Sequence, residues 1–122
     1  MSTTPADALA SCTSAFLTGD ADAVSELFAE RGACELPGLG RPLAGPREIA
    51  DALTSWDGGL SQAAVRYDHM LEDEHRVFAE GLLTAQSAGG AVAVPFLVSL
   101  ELDDGSISRL ACYLDRRLLP NP

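Results

Sequence analysis

Few residues in this chain could do chemistry, and two of them stand close together. In the segment VRYDHML, Tyr67 and His69 are separated by one residue, so a regular strand points both to one side with Val65 and Leu71. A histidine there would serve as a general base or a hydrogen-bond donor, because its pKa lets it hold and release a proton near neutrality. The Tyr67 hydroxyl would orient a ligand or assist. The plainer alternative is a half-buried strand with an ordinary aromatic and a satisfied histidine. Cys12, Cys34 and Cys112 are odd in number and widely spaced, with no CxxC pair. This spacing argues against a disulfide framework or a metal site and for three reduced, buried thiols. Cys112 would act as a nucleophile only beside a base or a positive charge that lowers its pKa, and no such partner is identifiable. Trp56 can pack or stack a ligand. His75 falls in a charged turn, and Asp115, Arg116 and Arg117 read as a solvated end with weak local ion pairs.

The elements that must position these residues fall into two halves. Thr4-Pro5-Ala6-Asp7 is a helix start, with Thr4 as cap and Pro5 in the first turn. Leu9, Cys12 and Phe16 then recur at helical spacing up to Gly19. Asp20 caps a second, short helix whose apolar face is Val24, Leu27 and Phe28. A short extended piece, Ala33 to Leu36, stops at Pro37. The Gly- and Pro-rich GLGRPLAGP reads as loop. Pro46 opens a third helix with Ile49, Leu53 and Trp56 on one side. From about residue 63 the period becomes two, which predicts four antiparallel strands. The hairpin signals between them are EDEH, Ala88-Gly89-Gly90 and Asp104-Gly105. Pro95 implies an edge or a bulge in its strand. The last strand, within DDGSISRLACYLDRRLL, is expected to turn Ser108, Leu110 and Cys112 inward and Arg109 and Tyr113 outward.

Composition bounds the function. With 122 residues, 47% of them apolar and 21% charged, the chain is expected to be one globular domain, 1–122, with a full core. A net charge of −10 disfavours nucleic acid and anionic membranes as partners. No apolar run approaches a membrane span and the N-terminus lacks a signal-peptide pattern, so a cytoplasmic location is the default expectation. All eight basic residues are arginine, which fits a high-GC bacterial genome.

Four stretches in order, FLTGDADAVSELFAE, ACELP, GPREIADAL and DDGSISRLACYLD, make the chain resemble the NTF2-like superfamily. The pattern is nearest the branch of ketosteroid isomerases, SnoaL-type polyketide cyclases and limonene-epoxide hydrolases. The resemblance implies an α+β cone, a curved antiparallel sheet covered by three N-terminal helices that enclose an apolar pocket. It also implies a homodimer through the outer face of the sheet, and no cofactor or metal is expected.

The catalytic residues of those relatives do not carry over. A ketosteroid isomerase uses a carboxylate base with a tyrosine and a protonated acid that stabilise an oxyanion. The corresponding positions here are Leu36 for the base, Cys12 for the tyrosine and Val98 for the acid. An epoxide hydrolase uses an Asp-Arg-Asp unit. Two of its positions fall on Gly81 and Leu83 within VFAEGLLTA, and the third on Cys112. Glu35 and Glu80 neighbour acid positions, but alternation turns them to the opposite face.

What remains is an apolar cup whose expected ligand-binding lining is Cys12, Leu36, Trp56, Phe96, Val98, Leu110 and Cys112, with Cys34 among them. Ala79, Gly81 and Ala85 would leave room inside. Tyr67 and His69 are the candidate catalytic residues, His69 as the acid/base. The expected function is binding of a small hydrophobic, polyketide- or terpenoid-like molecule, with isomerisation, cyclisation or hydrolysis by acid/base chemistry. The alternative is an accessory binding protein that has lost the catalytic acids, and a third reading is a structural dimer with a collapsed core.

Overall fold

The computed structural model describes residues 3–36, 39–55 and 60–118. Helix α1 (Pro5–Thr18) begins where the sequence says it should. The Thr4 side chain accepts a hydrogen bond from the Asp7 N–H at 3.1 Å, and Gly19 ends the helix in the left-handed conformation (φ 69°). Asp20 caps α2 (Ala21–Leu27) by accepting from the Ala23 N–H at 3.0 Å. The helix stops one residue short of expectation, because Phe28 already has extended backbone and opens β1 (Phe28–Glu35). The short strand expected at Ala33 is therefore the end of an eight-residue one. The Gly- and Pro-rich segment contains a two-residue strand, β2 (Leu43–Ala44), paired antiparallel to Ala33 and Cys34. Then follow α3 (Pro46–Ser55), β3 (Ser61–Glu72), β4 (Arg76–Ser87), β5 (Gly90–Asp103), β6 (Ser106–Leu114) and a 3₁₀ turn at Arg116–Leu118.

The six strands form one sheet in the order β2-β1-β6-β5-β4-β3. It is mixed rather than wholly antiparallel, since β1 runs parallel to β6. A parallel pair needs a long crossover, and here the crossover comprises β2, α3, β3, β4 and β5. The β5–β6 hairpin turns at Asp104 (φ 52°) and Gly105 (φ 83°), the pair of left-handed residues that a two-residue hairpin turn demands. Pro95 sits opposite Leu82 of β4, while the ladder to β6 begins only at Phe96–Leu114. The strand is central, yet at Pro95 it is locally an edge, where a missing N–H is tolerated.

The core lies between the helices and one face of the sheet, here the inner face. Ala8, Leu9, Cys12 and Ala15 of α1, Val24 of α2, and Ile49 and Ala50 of α3 pack on Val77, Ala79, Val98, Leu100, Ile107 and Leu110. Burial alternates strictly along β4, with Val77, Ala79, Gly81, Leu83 and Ala85 turned in. The outer face carries Phe78, Leu82, Leu97 and Tyr113, with Phe78, Leu97 and Tyr113 exposed.

Of the register shifts in the sheet, two bear on the expected site residues. In β3, Tyr67 pairs with Gly81 and His69 with Glu80, so Asp68 is an extra residue in a bulge. In β6, Arg109 pairs with Glu101 and Ile107 with Leu102, so Ser108 is the extra residue. Ile107, fully buried, takes the inward position expected of Ser108, whose hydroxyl instead donates to the Glu101 carbonyl at 3.2 Å.

Candidate functional site

The inner face is best followed as rows of side chains running across the strands. The row Cys34–Leu110–Leu100–Val77 is closed: Cys34, Leu100 and Val77 have no exposed surface, and Leu110 is 6% exposed. The next row, Cys112–Val98–Ala79, is buried at Val98 and Ala79 and half-buried at Cys112. The third, Leu114–Phe96–Gly81–Tyr67, is half-buried at Leu114, Phe96 and Tyr67. Beyond it, Val94 and Leu83 are buried again beside Val65. Met70, paired with Ala79 at the β3 end of the second row, is 43% exposed, so the second and third rows are both partly open and lie between covered ones.

Gly81 shapes that row. A Cβ there would press on the Arg66 carbonyl oxygen and lie 2.8 Å from the Phe96 ring. The absence of a side chain lets the Phe96 ring lie over β4, and Tyr67 stands edge-on to it, with ring centroids 5.7 Å apart and planes at 79°. The room that small residues were expected to leave at Gly81 is therefore filled by Phe96. The Tyr67 hydroxyl lies 2.6 Å from Thr13 Oγ1 on α1, and Thr13 Oγ1 also donates to the Leu9 carbonyl at 2.8 Å. Thr13 carries no signal that the sequence pattern could pick out, because a lone threonine on a helix is ordinary.

The expected lining residues are not all in one place. Leu36, Phe96 and Cys112 are half-buried on or beside the open rows. Cys12, Val98 and Leu110 are buried in the core. Trp56 lies outside the described residues.

His69 is the correction that matters most. The Asp68 bulge puts it opposite Glu80 on the outer face, where it is exposed, so it does not share the side of Tyr67. Leu71, opposite Phe78 and 75% exposed, is turned out by the same shift. The extra residue consumes one step of the alternation, and every side chain after it changes face.

The electrostatics inside are those of a neutral apolar site. Burial pushes the Cys12 and Cys34 thiols up to about 12 and the Cys112 thiol up to about 11, so none is a nucleophile near neutrality. Burial likewise raises Tyr67. Glu35 and Glu80 are turned outward, and the Glu35 carboxylate accepts a hydrogen bond from Arg109 at 2.6 Å. Glu72, at the β3 end of the closed row, accepts from the Ala6 N–H at 2.7 Å, in the first turn of α1. Among the described residues no group of three or more His, Cys, Asp or Glu side chains could hold a metal ion.

Two open grooves of about 440 Å³ each mark the described surface. One runs along α1 and α2 beside Ser11, Ser14 and Thr18. The other crosses the outer face between the Arg66–Asp68 pair and Leu82, Pro95, Leu97 and Tyr113. Gly81 and Phe96 of the third row also line this second groove. Among the described residues no helix is long and apolar enough to cross a membrane.

Residues 9–110 match the family model of the SnoaL-like domain. No curated protein matches the chain. Among solved structures, a hypothetical protein with a ketosteroid isomerase-like fold from Catenulispora acidiphila, in complex with trimethylamine, superposes with a TM-score of 0.76. It shares 20% identity over 91% of this chain and 86% of that one. An M. tuberculosis LEH-like epoxide hydrolase gives a TM-score of 0.72, with 21% identity over 92% and 83%. IdmH from Streptomyces antibioticus, a candidate polyketide cyclase, gives 0.80, with 17% identity over 94% of each chain. At these identities the structures share a fold, and the family model spans most of the sequence. The chain belongs to the SnoaL-like domain family, built on the NTF2-like α+β cone.

Proposed function

We propose that this chain binds a small, mainly apolar molecule against the half-buried Tyr67–Gly81–Phe96–Leu114 row, without acid/base catalysis by its own carboxylates. The observation that carries the reading is the burial pattern: a partly covered aromatic row, beside a second row that is half-buried at Cys112 and open at Met70, with a paired hydroxyl at its end. Ligand sites are mostly apolar with a few placed polar groups, and this row has that character. The inner-face thiols are held protonated, and Glu72 is engaged by a backbone N–H at the far end of the inner face. The accessory binding protein is therefore favoured over isomerase, cyclase or hydrolase chemistry.

Native mass spectrometry of the purified protein, followed by an amide NMR titration with menthol, tests this. Menthol should shift the amides of Thr13, Tyr67, Phe96 and Leu114. Shifts confined to the outer face, or none at millimolar menthol, would sink the proposal.

For the outer face we propose a second copy of the chain as its partner. Phe78, Leu97 and Tyr113 are 42%, 38% and 52% exposed there. The surrounding charges are three arginines (Arg66, Arg76, Arg109) against four carboxylates (Glu35, Asp68, Glu80, Glu101), six of them in ion pairs. A molecule of net charge −10 repels its own copy most weakly where its charge is compensated and its surface apolar.

A further inference from the structure

The Thr13–Tyr67 contact fixes more than a position. Each hydroxyl has one proton and lone pairs that accept. The oxygens are 2.6 Å apart, so one of the two must donate to the other. Thr13 Oγ1 is also 2.8 Å from the Leu9 carbonyl oxygen, which can only accept. If Thr13 gave its proton to Tyr67, the contact with Leu9 would have none. If Thr13 donates to Leu9 and Tyr67 donates to Thr13, both contacts are hydrogen bonds. The second arrangement makes two bonds where the first makes one, and in a half-buried setting the extra bond decides. The Tyr67 proton is then committed to the protein, and what the phenol oxygen has left over is acceptor capacity. No other hydrogen bond to that oxygen is formed within the described residues.

We propose that the Tyr67 oxygen presents an acceptor, and no donor, to the half-buried row, so the molecule bound there is an apolar alcohol or N–H compound rather than a ketone. This rests on the binding reading above and sharpens its ligand class. A hydroxyl on the ligand can donate to Tyr67. A carbonyl brought to the same place would lose its water and find no proton, and sites reject analogues that leave polar groups unpaired. An anionic ligand is disfavoured for the same reason, since among the described residues the row offers it no cation and no free donor.

The test compares menthol with menthone, which share a carbon skeleton and differ in that one group. Both are titrated by NMR against the wild-type chain, Tyr67→Phe and Thr13→Val. The wild type should prefer menthol by roughly three- to tenfold, the size of one net hydrogen bond. Tyr67→Phe should lose most of that preference by weakening menthol and not menthone. Thr13→Val keeps the shape of the side chain but frees the Tyr67 proton, so menthone should gain and the ratio should fall toward parity. Menthone bound as tightly as menthol by the wild type, or a preference unchanged in both variants, overturns the assignment while leaving the binding reading intact. If neither compound binds the wild type, the binding reading itself fails and this inference with it.

Discussion

Cys12 and Cys34 show how a residue's surroundings decide its chemistry. Both are small apolar fillers in the core, 4% and 0% exposed, and burial holds their protons up to about 12. In the unfolded chain the same thiols lose their protons near 9, the unperturbed value. A group whose folded pKa is raised gives its full stabilisation below the unfolded value and loses it as pH climbs toward the folded one. Stability should thus be level from pH 7 to about 8.5 and fall above pH 9, with each thiol adding a slope of up to about 1.4 kcal/mol per pH unit. Urea unfolding at pH 7.5, 9 and 10 measures this. Cys34→Ala should flatten the slope, and a curve that stays level to pH 10 would contradict the burial argument. The same burial makes the thiols slow toward disulfide reagents at pH 8 in the folded protein.

At the scale of elements, two bulges rewrite what a period of two would say. Alternation through VRYDHML puts Tyr67 and His69 together, and alternation back from Cys112 puts Ser108 inside. An extra residue intervenes in each, Asp68 in β3 and Ser108 in β6, and the faces exchange beyond it. The consequence in β6 can be measured directly. Ile107→Ala should cost about 2–5 kcal/mol, as for a fully buried isoleucine. Ser108→Ala should cost about 1 kcal/mol or less, the loss of one side-chain bond to the Glu101 carbonyl. Chemical denaturation of the two variants ranks them, and the reverse order would restore simple alternation.

For the whole molecule, the sheet has one face spent on the helices and the other only partly covered by its own side chains. Phe78, Leu97 and Tyr113 lie among charges that nearly cancel, on a chain that is otherwise strongly acidic. Sedimentation of the wild type at micromolar concentration should give the mass of two chains. Leu97→Arg should give one chain without loss of folding, because the substituted side chain points away from the core. A monomeric wild type, or a dimer indifferent to that substitution, would remove the outer face from consideration.

The sequence by itself determined whatever depends on neighbours along the chain. Thr4, Pro5, Gly19 and Asp20 set the helix ends, and Asp104-Gly105 set the last hairpin, because caps and turns are satisfied within a few residues. The strand from Gly90 to Asp103 was equally legible. Only the tertiary structure decided the rest. The parallel pairing of β1 with β6 joins residues about 75 positions apart, and no local pattern encodes it. A bulge appears only as a mismatch between two strands, so a single strand cannot announce that His69 has left the side of Tyr67. The site follows from the same rule: Thr13 and Tyr67 are 54 residues apart, and they acquire a chemical meaning only when α1 is laid across the sheet.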